Sequence, residues 1–163
     1  MDARVKPGHD GFSLMTVSFL LRPYRPEDQD AAIALWQHTW QQAYPDIDFA
    51  ARVAWWRERW RGELVPNAAI VVAESGNALI GFVTIDGKGY LDQLVVHPEH
   101  WASELAVALV DEAKRRAPGG ITLLVNKDNA RAIRFYRRNG FIDAGEDVNP
   151  TSGRAVLKMA WSA

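Results

Sequence analysis

The order in which strand-like and helix-like runs alternate constrains this chain more than any single residue does. Residues 16–21 (TVSFLL) read as a short strand stopped by Pro23 and Pro26. Glu27 and Asp28 then open an amphipathic helix with Ile33, Leu35, Trp36, Trp40 and Tyr44 on its apolar side, ended at Pro45. Asp48 caps an expected second helix that carries Phe49, Val53, Trp56 and Trp60 on one face, with Gly62 near its stop. Residues 69–74 and 78–86 flank the turn-forming Ser75, Gly76 and Asn77 and predict a hairpin. Gly87, Lys88 and Gly89 turn the chain into a strand over 90–97, closed by Pro98. Residues 103–116 form the clearest helix, with basic residues in the last turn and Pro118, Gly119 and Gly120 after it. The short apolar run 121–125 predicts a strand covered on both faces. A helix over 130–139 follows, with Gly140 at a left-handed cap, then strands over 141–146 and 155–161. The order β-α-α-β-β-β-α-β-α-β-β predicts an α/β sheet layered with helices and excludes a helical bundle or a β-sandwich.

Composition narrows the function classes. A chain of 163 residues holds one core. Nineteen basic against twenty acidic side chains leave a formal net charge of −1, so neither nucleic acid nor an anionic membrane is an expected partner. With no cysteine, thiolate nucleophiles, disulfides and Cys-ligated metals are excluded, which suits a cytoplasmic protein. No apolar run approaches the roughly 20 residues of a membrane span. Residues 1–14 show neither periodicity nor a signal-peptide h-region and are read as a loose tail ahead of a single domain over 15–163. Five of the seven Trp crowd between Trp36 and Trp60, and so many exposed indoles would favour a homodimer.

The most informative stretch is 124–141, LVNKDNARAIRFYRRNGF. Asn126 and Asn129 flank a helix start, Phe135 and Tyr136 follow within two turns, and Gly140 and Phe141 end the element. Here the chain resembles the GNAT superfamily of acetyl-CoA-dependent N-acetyltransferases, and the likeness in element order extends over the whole chain except the tail. The resemblance implies a mixed, mostly antiparallel sheet with a splayed central pair of parallel strands and helices on both faces. That pair would be 90–97 and 121–125, with the pantetheine of acetyl-CoA between them. It further implies cofactor contacts from the backbone of Leu94, Val95 and Val96, from the loop Trp101, Ala102, Ser103, Glu104, Leu105 and Ala106, and from Asn129, Phe135 and Arg138. Tyr136 would lie near the sulfur, where a phenol of reference pKa near 10 can act as general acid. Read without the resemblance, Tyr136 is a core aromatic at a sheet edge.

The loop departs from the family's glycine-rich pattern, in which free backbone N–H groups at a helix start bind pyrophosphate. Trp101 stands in place of a polar residue and Glu104 in place of the central glycine. A carboxylate ~5–6 Å from a phosphate charge costs about 1–3 kcal/mol, up to two decades in affinity. On the bland reading, Ser103 and Glu104 simply cap the helix.

Other candidates are single residues. Asp92, placed by alternation on one face with Tyr90 and Leu94, is the candidate base for the incoming amine; otherwise it is a solvated carboxylate. His97 and His100 are separated by Pro98 in a turn and do not predict a metal site. Arg131, Arg134 and Arg138 share a helix face, which reads as a phosphate contact or as a solvated face. Trp40 and Tyr44 are candidate walls of an acceptor pocket, although helical spacing puts Trp36 and Trp40 in a core first. The expected activity is acetyl transfer from acetyl-CoA to a primary amine of a small molecule or peptide, by direct attack and with no metal. The alternative is a degenerate member that binds an acyl-CoA, another ligand or a partner protein without turnover.

Overall fold

The computed structural model describes residues 3–5, 18–101 and 103–163. Two sheets result. Strands β1 (Ala3–Val5), β2 (Phe19–Pro23), β3 (Ala68–Ser75), β4 (Ala78–Asp86) and β5 (Leu91–Val96) form one antiparallel sheet in sequence order. Strands β6 (Ile121–Asn126), β7 (Ile142–Val148) and β8 (Ala155–Trp161) form the other, in the order β6-β8-β7. A single parallel bridge, Tyr90 to Thr122, joins them. Thr16, Val17 and most of the stretch 1–14 lie outside the described residues; within that stretch, Ala3–Val5 pairs with Phe19–Leu21.

Helices cover both faces. Helix α1 (Gln29–Ala43) and α2 (Val53–Arg59) bury Ile33, Trp36, Trp56 and Trp60 against Ile70, Val72, Phe82 and Val95 of the sheet. Helix α4 (Leu105–Arg116) buries Leu105, Leu109 and Ala113 on the opposite side with Val71, Ala73 and Val83, in a core shared with Ile133 and Tyr136 of α5 (Ala130–Arg138). Alternation along β3 sends Val71 and Ala73 one way and Ile70 and Val72 the other, so both faces are apolar because both are covered.

Several sequence expectations are corrected. Gly62 does not stop the second helix: the chain continues through a π-helical segment, Trp60–Leu64, and the single turn α3 (Val65–Asn67). Wider π turns keep Trp60 and Leu64 both buried, and that packing outweighs the helix-breaking tendency of one glycine. The first strand does stop at Pro23, though it runs two residues past the expected 21, with Pro23 still in register opposite Val71. Strand β6 is covered on one face only, since Thr122 is exposed and Leu124 half-buried. The crowded Trp residues are largely internal: Trp36 stacks on Trp56 at 4.7 Å, Trp60 donates from Nε1 to the Tyr24 hydroxyl at 3.1 Å, and Trp55 is the exposed indole of the group. Amphipathic helices bury these indoles in the core, which removes the surface argument for a homodimer.

Candidate active site

The gap between β5 and β6 is the main feature of the site. At its closed end the Thr122 N–H donates to the Gly89 carbonyl at 2.9 Å, and the bridge at Tyr90 lies beside it. Beyond that point neither strand pairs with the other among the described residues: the ladder partner of β5 is β4, and that of β6 is β8. The His97 N–H donates to Ile80 O on β4, so antiparallel alternation also turns Val95 towards β4 and aims the backbone groups of Leu94 and Val96 into the gap. An unpaired strand edge of this kind accepts an extended amide-bearing arm as an added strand would. The pantetheine of acetyl-CoA is such an arm and the Leu94 edge fits it, whereas Val96 O is already bonded by the Trp101 indole N–H.

A bulge in β5 re-aims the residues on the far side. Register shifts opposite Thr84 and Ile85, leaving Asp92 as the extra residue. Leu91 and Leu94 consequently pack in the same core, and Asp92 does not share a face with Leu94 as simple alternation predicts. Asp92 instead meets Arg59 of α2, which grips both carboxylate oxygens, one of them at 2.9 Å, and this pairing raises the guanidinium pKa. Gln93 Nε2 donates to Asp92 at 3.1 Å, while its buried Oε1 has no donor among the described residues. Arg59 and Asp92 border a cavity of about 280 Å³ on the α2 face, also lined by Glu63, Asp86 and Tyr90. Burial, and then the Asp92 charge, raise the pKa of Tyr90.

Tyr136 lies in the core beneath α4 and α5, edge-on to Phe135 and Phe141 at 5.4 Å each. Burial holds its phenol well above the usual pKa, and no described group hydrogen-bonds the hydroxyl. Tyr136 and Asp92 thus approach from opposite faces of the split sheet. Asn129 caps α5, its side chain accepting from Ala132 N at 3.2 Å. Phe135 is half-buried and Arg138 exposed.

Several N–H groups of the loop after β5 are already engaged. The N–H groups of His100, Trp101 and Ser103 donate to His97 O, Pro98 O and His100 O, and Leu105 N donates to Ser103 Oγ at 3.2 Å. Leu105 is fully buried and Ala106 packs against the same core, so their side chains face away from solvent. Glu104 makes no capping bond to α4, and Ala102 lies outside the described residues. Trp101 reaches back into the gap, where its Nε1 donates to Val96 O at 2.7 Å and the Arg131 guanidinium sits 3.7 Å above its ring. His97 uses Nδ1 to accept from Glu99 N, and its ring faces His38 at 5.1 Å. Burial lowers the His97 pKa. Among the described residues, no three His, Asp or Glu side chains converge as a metal site.

Tyr44 closes the open end. Its hydroxyl donates to Asp128 at 2.8 Å and accepts from Asn126 Nδ2 at 3.0 Å, tying the end of α1 to the loop after β6. Trp40 stacks on Tyr44 at 5.8 Å, and Arg154, paired with Asp128 at 3.1 Å, covers the ring. Sequence reading singled out Trp40, Tyr44 and Asp92 but missed Arg59 and Arg154, because no local pattern marks a partner brought in from a distant element. Arg131 was read only as part of a basic face, and nothing in its spacing announces the Trp101 ring.

A split antiparallel sheet, a freed strand edge at the split and a helix entered through Asn129 define an acyltransferase scaffold. The chain belongs to the acetyltransferase (GNAT) family, whose model matches residues 29–141. It is 28% identical to the peptidyl-lysine N-acetyltransferase YjaB of Salmonella typhimurium, over 74% of this chain and 81% of that protein. The solution structure of the apo form of YjaB from Escherichia coli superposes with a TM-score of 0.70 at 26% identity, covering 89% of this chain and 99% of the other. The PaiA N-acetyltransferase of Thermoplasma acidophilum, crystallised with coenzyme A, gives 0.72 at 20% identity over 90% and 100%, a likeness of fold.

Proposed function

We propose that this acetyltransferase moves an acetyl group from acetyl-CoA to a primary amine of a small molecule or peptide by direct attack, without a covalent enzyme intermediate. The observation that carries the reading is the gap between β5 and β6, joined only at Tyr90 and Thr122. Acetyl-CoA supplies the activated thioester. Leu94 and Val96 offer their backbone groups to the arm, and a backbone N–H there polarises the thioester carbonyl. Tyr136 keeps its proton at every pH near neutrality and donates a hydrogen bond to sulfur as negative charge gathers on it. From the opposite face, Asp92 takes the amine's proton directly or through water, with Arg59 holding the carboxylate in place. Positioning the two reactants across the gap supplies most of the rate.

Three carboxylates, Glu63, Asp86 and Asp92, against the single guanidinium of Arg59 make the 280 Å³ cavity suit a cationic amine. Similarity to a peptidyl-lysine N-acetyltransferase points the same way, towards a lysine side chain in a peptide. Soluble operation in the cytoplasm accords with the absence of any described helix long and apolar enough to cross a membrane.

The engaged amides of the loop and Glu104 favour a second reading, a member that binds acyl-CoA weakly and does not turn over. Melting with and without acetyl-CoA, for the wild type and Glu104→Gly, separates the two. Stabilisation of both proteins, with thiol release when a lysine peptide is added, is the expected result. Stabilisation of Glu104→Gly alone would mark a decayed site, and no stabilisation of either would end the acetyl-CoA reading.

A further inference from the structure

Part of the family's usual anion cradle is already engaged in this chain, and a cation stands at the mouth of the gap. Three backbone N–H groups of the loop are spent on internal carbonyls and a fourth on Ser103 Oγ, while Glu104 puts a carboxylate at the start of α4. Backbone amides so engaged are not free to receive a phosphate without breaking turns that hold the loop together. Arg131 makes the opposite impression. It pairs with no carboxylate among the described residues, unlike Arg137 in the last turn of the same helix, which is held by Asp143 at 2.7 Å. Its guanidinium lies flat enough over the Trp101 indole to reach 3.7 Å from the ring centre. Partial burial lowers its pKa, as expected of a cation that has lost water and gained no counter-ion. Trp101, Arg131 and Asn129 line one cavity of about 200 Å³ with Gln42, Tyr44 and Asp128, whose carboxylate is engaged by the Tyr44 hydroxyl and Arg154, at the end of the gap where Val96 O is presented.

We propose that Arg131, braced by Trp101, is the anchor for the diphosphate of acyl-CoA in this chain, replacing the backbone amides of the loop. A guanidinium fork binds two phosphate oxygens at once, and its stacked position fixes the fork before the ligand arrives, so little side-chain entropy is lost on binding. The same geometry assigns Trp101 a second task. Its indole N–H occupies Val96 O, an acceptor the pantetheine also uses, so the ring releases that bond when the arm enters. The inference rests on the acyl-CoA reading above and deepens it by naming which side chain holds the charged half of the donor.

The test is calorimetric titration of acetyl-CoA and of acetyl-3′-dephospho-CoA, which lacks only the 3′-phosphate, into the wild type, Arg131→Gln and Arg131→Lys, at two salt concentrations. Arg131→Gln is expected to weaken both ligands about tenfold and to flatten the salt dependence, with Arg131→Lys recovering most of the loss. Arg131 belongs to neither core, and equal melting temperatures will establish that the variants fold. Unchanged affinity in Arg131→Gln would overturn the proposal. Loss confined to acetyl-CoA would place the contact on the 3′-phosphate and would also overturn it. A wild type that binds neither ligand would refute the acyl-CoA reading itself, a result distinct from either of these.

Discussion

Gly89 is where the closed end of the gap is most sensitive to a single methyl group. Its φ of +83° lies in the left-handed region, and a Cβ there would collide with the carbonyl oxygen of Gly120 and crowd Ile121. The same residue's carbonyl accepts from Thr122 N at 2.9 Å, the bond that starts β6 alongside β5. Gly89→Ala therefore adds a left-handed penalty of roughly 1–2 kcal/mol to a backbone displacement and a weakened hydrogen bond, together about 3–5 kcal/mol. For a domain of this size that lowers Tm by roughly 10 °C. Gly87, two residues away in the same turn, is an internal control, since an added Cβ there meets nothing and its φ is not left-handed. Urea unfolding of both variants reads the difference directly, with Gly87→Ala expected within about 0.5 kcal/mol of the wild type. If Gly89→Ala proved as stable as Gly87→Ala, the turn would be free to rearrange, and the closed end would not be fixed by this contact.

Tyr136→Phe removes only the hydroxyl and keeps the ring packed, so turnover is expected to fall about a hundredfold or more while acetyl-CoA affinity changes only slightly; steady-state kinetics beside calorimetry will separate the two, and unaltered turnover would return Tyr136 to the core. Asp28, buried and gripped by Arg22 at 2.8 and 2.9 Å, has a pKa held below the usual range, chiefly by that guanidinium. Its folded pKa is depressed, so its stabilisation is complete above the unfolded value near 4 and is lost as pH falls through the folded one. Asp28→Asn should cost about 3 kcal/mol at pH 7, with Arg22 keeping Glu74, and should flatten the decline of stability below about pH 4 in denaturant titrations.

Much of the fold was legible in local pattern. Gly140, read as a left-handed cap, has φ +93°, and Asn129 caps α5 where its position before the apolar run placed it. The hairpin around Gly76 and the helix ended by Pro118 follow from turn chemistry and periodicity, which act within a few residues. Gly62 misled because one glycine costs about 1 kcal/mol, less than burying Trp60 and Leu64 returns. Asp92 was recognised as a candidate, but its orientation was not, since a bulge is a property of two paired strands and leaves no mark in either one alone.

The sequence by itself determined the element order, the family block from Asn126 to Phe141 and the replacement of a glycine by Glu104. Each is carried by neighbouring residues, so each survives without knowing how the chain closes. Tertiary structure alone decided that β5 and β6 part after one bridge, that Arg59 holds Asp92 from 33 residues away, and that Tyr44 reaches Asn126 and Asp128 across more than 80. It also decided that the Trp101 indole turns back to Val96 beneath Arg131. Such pairings are set by how helices and strands pack on one another, and packing joins residues that periodicity, capping and turn propensity cannot see.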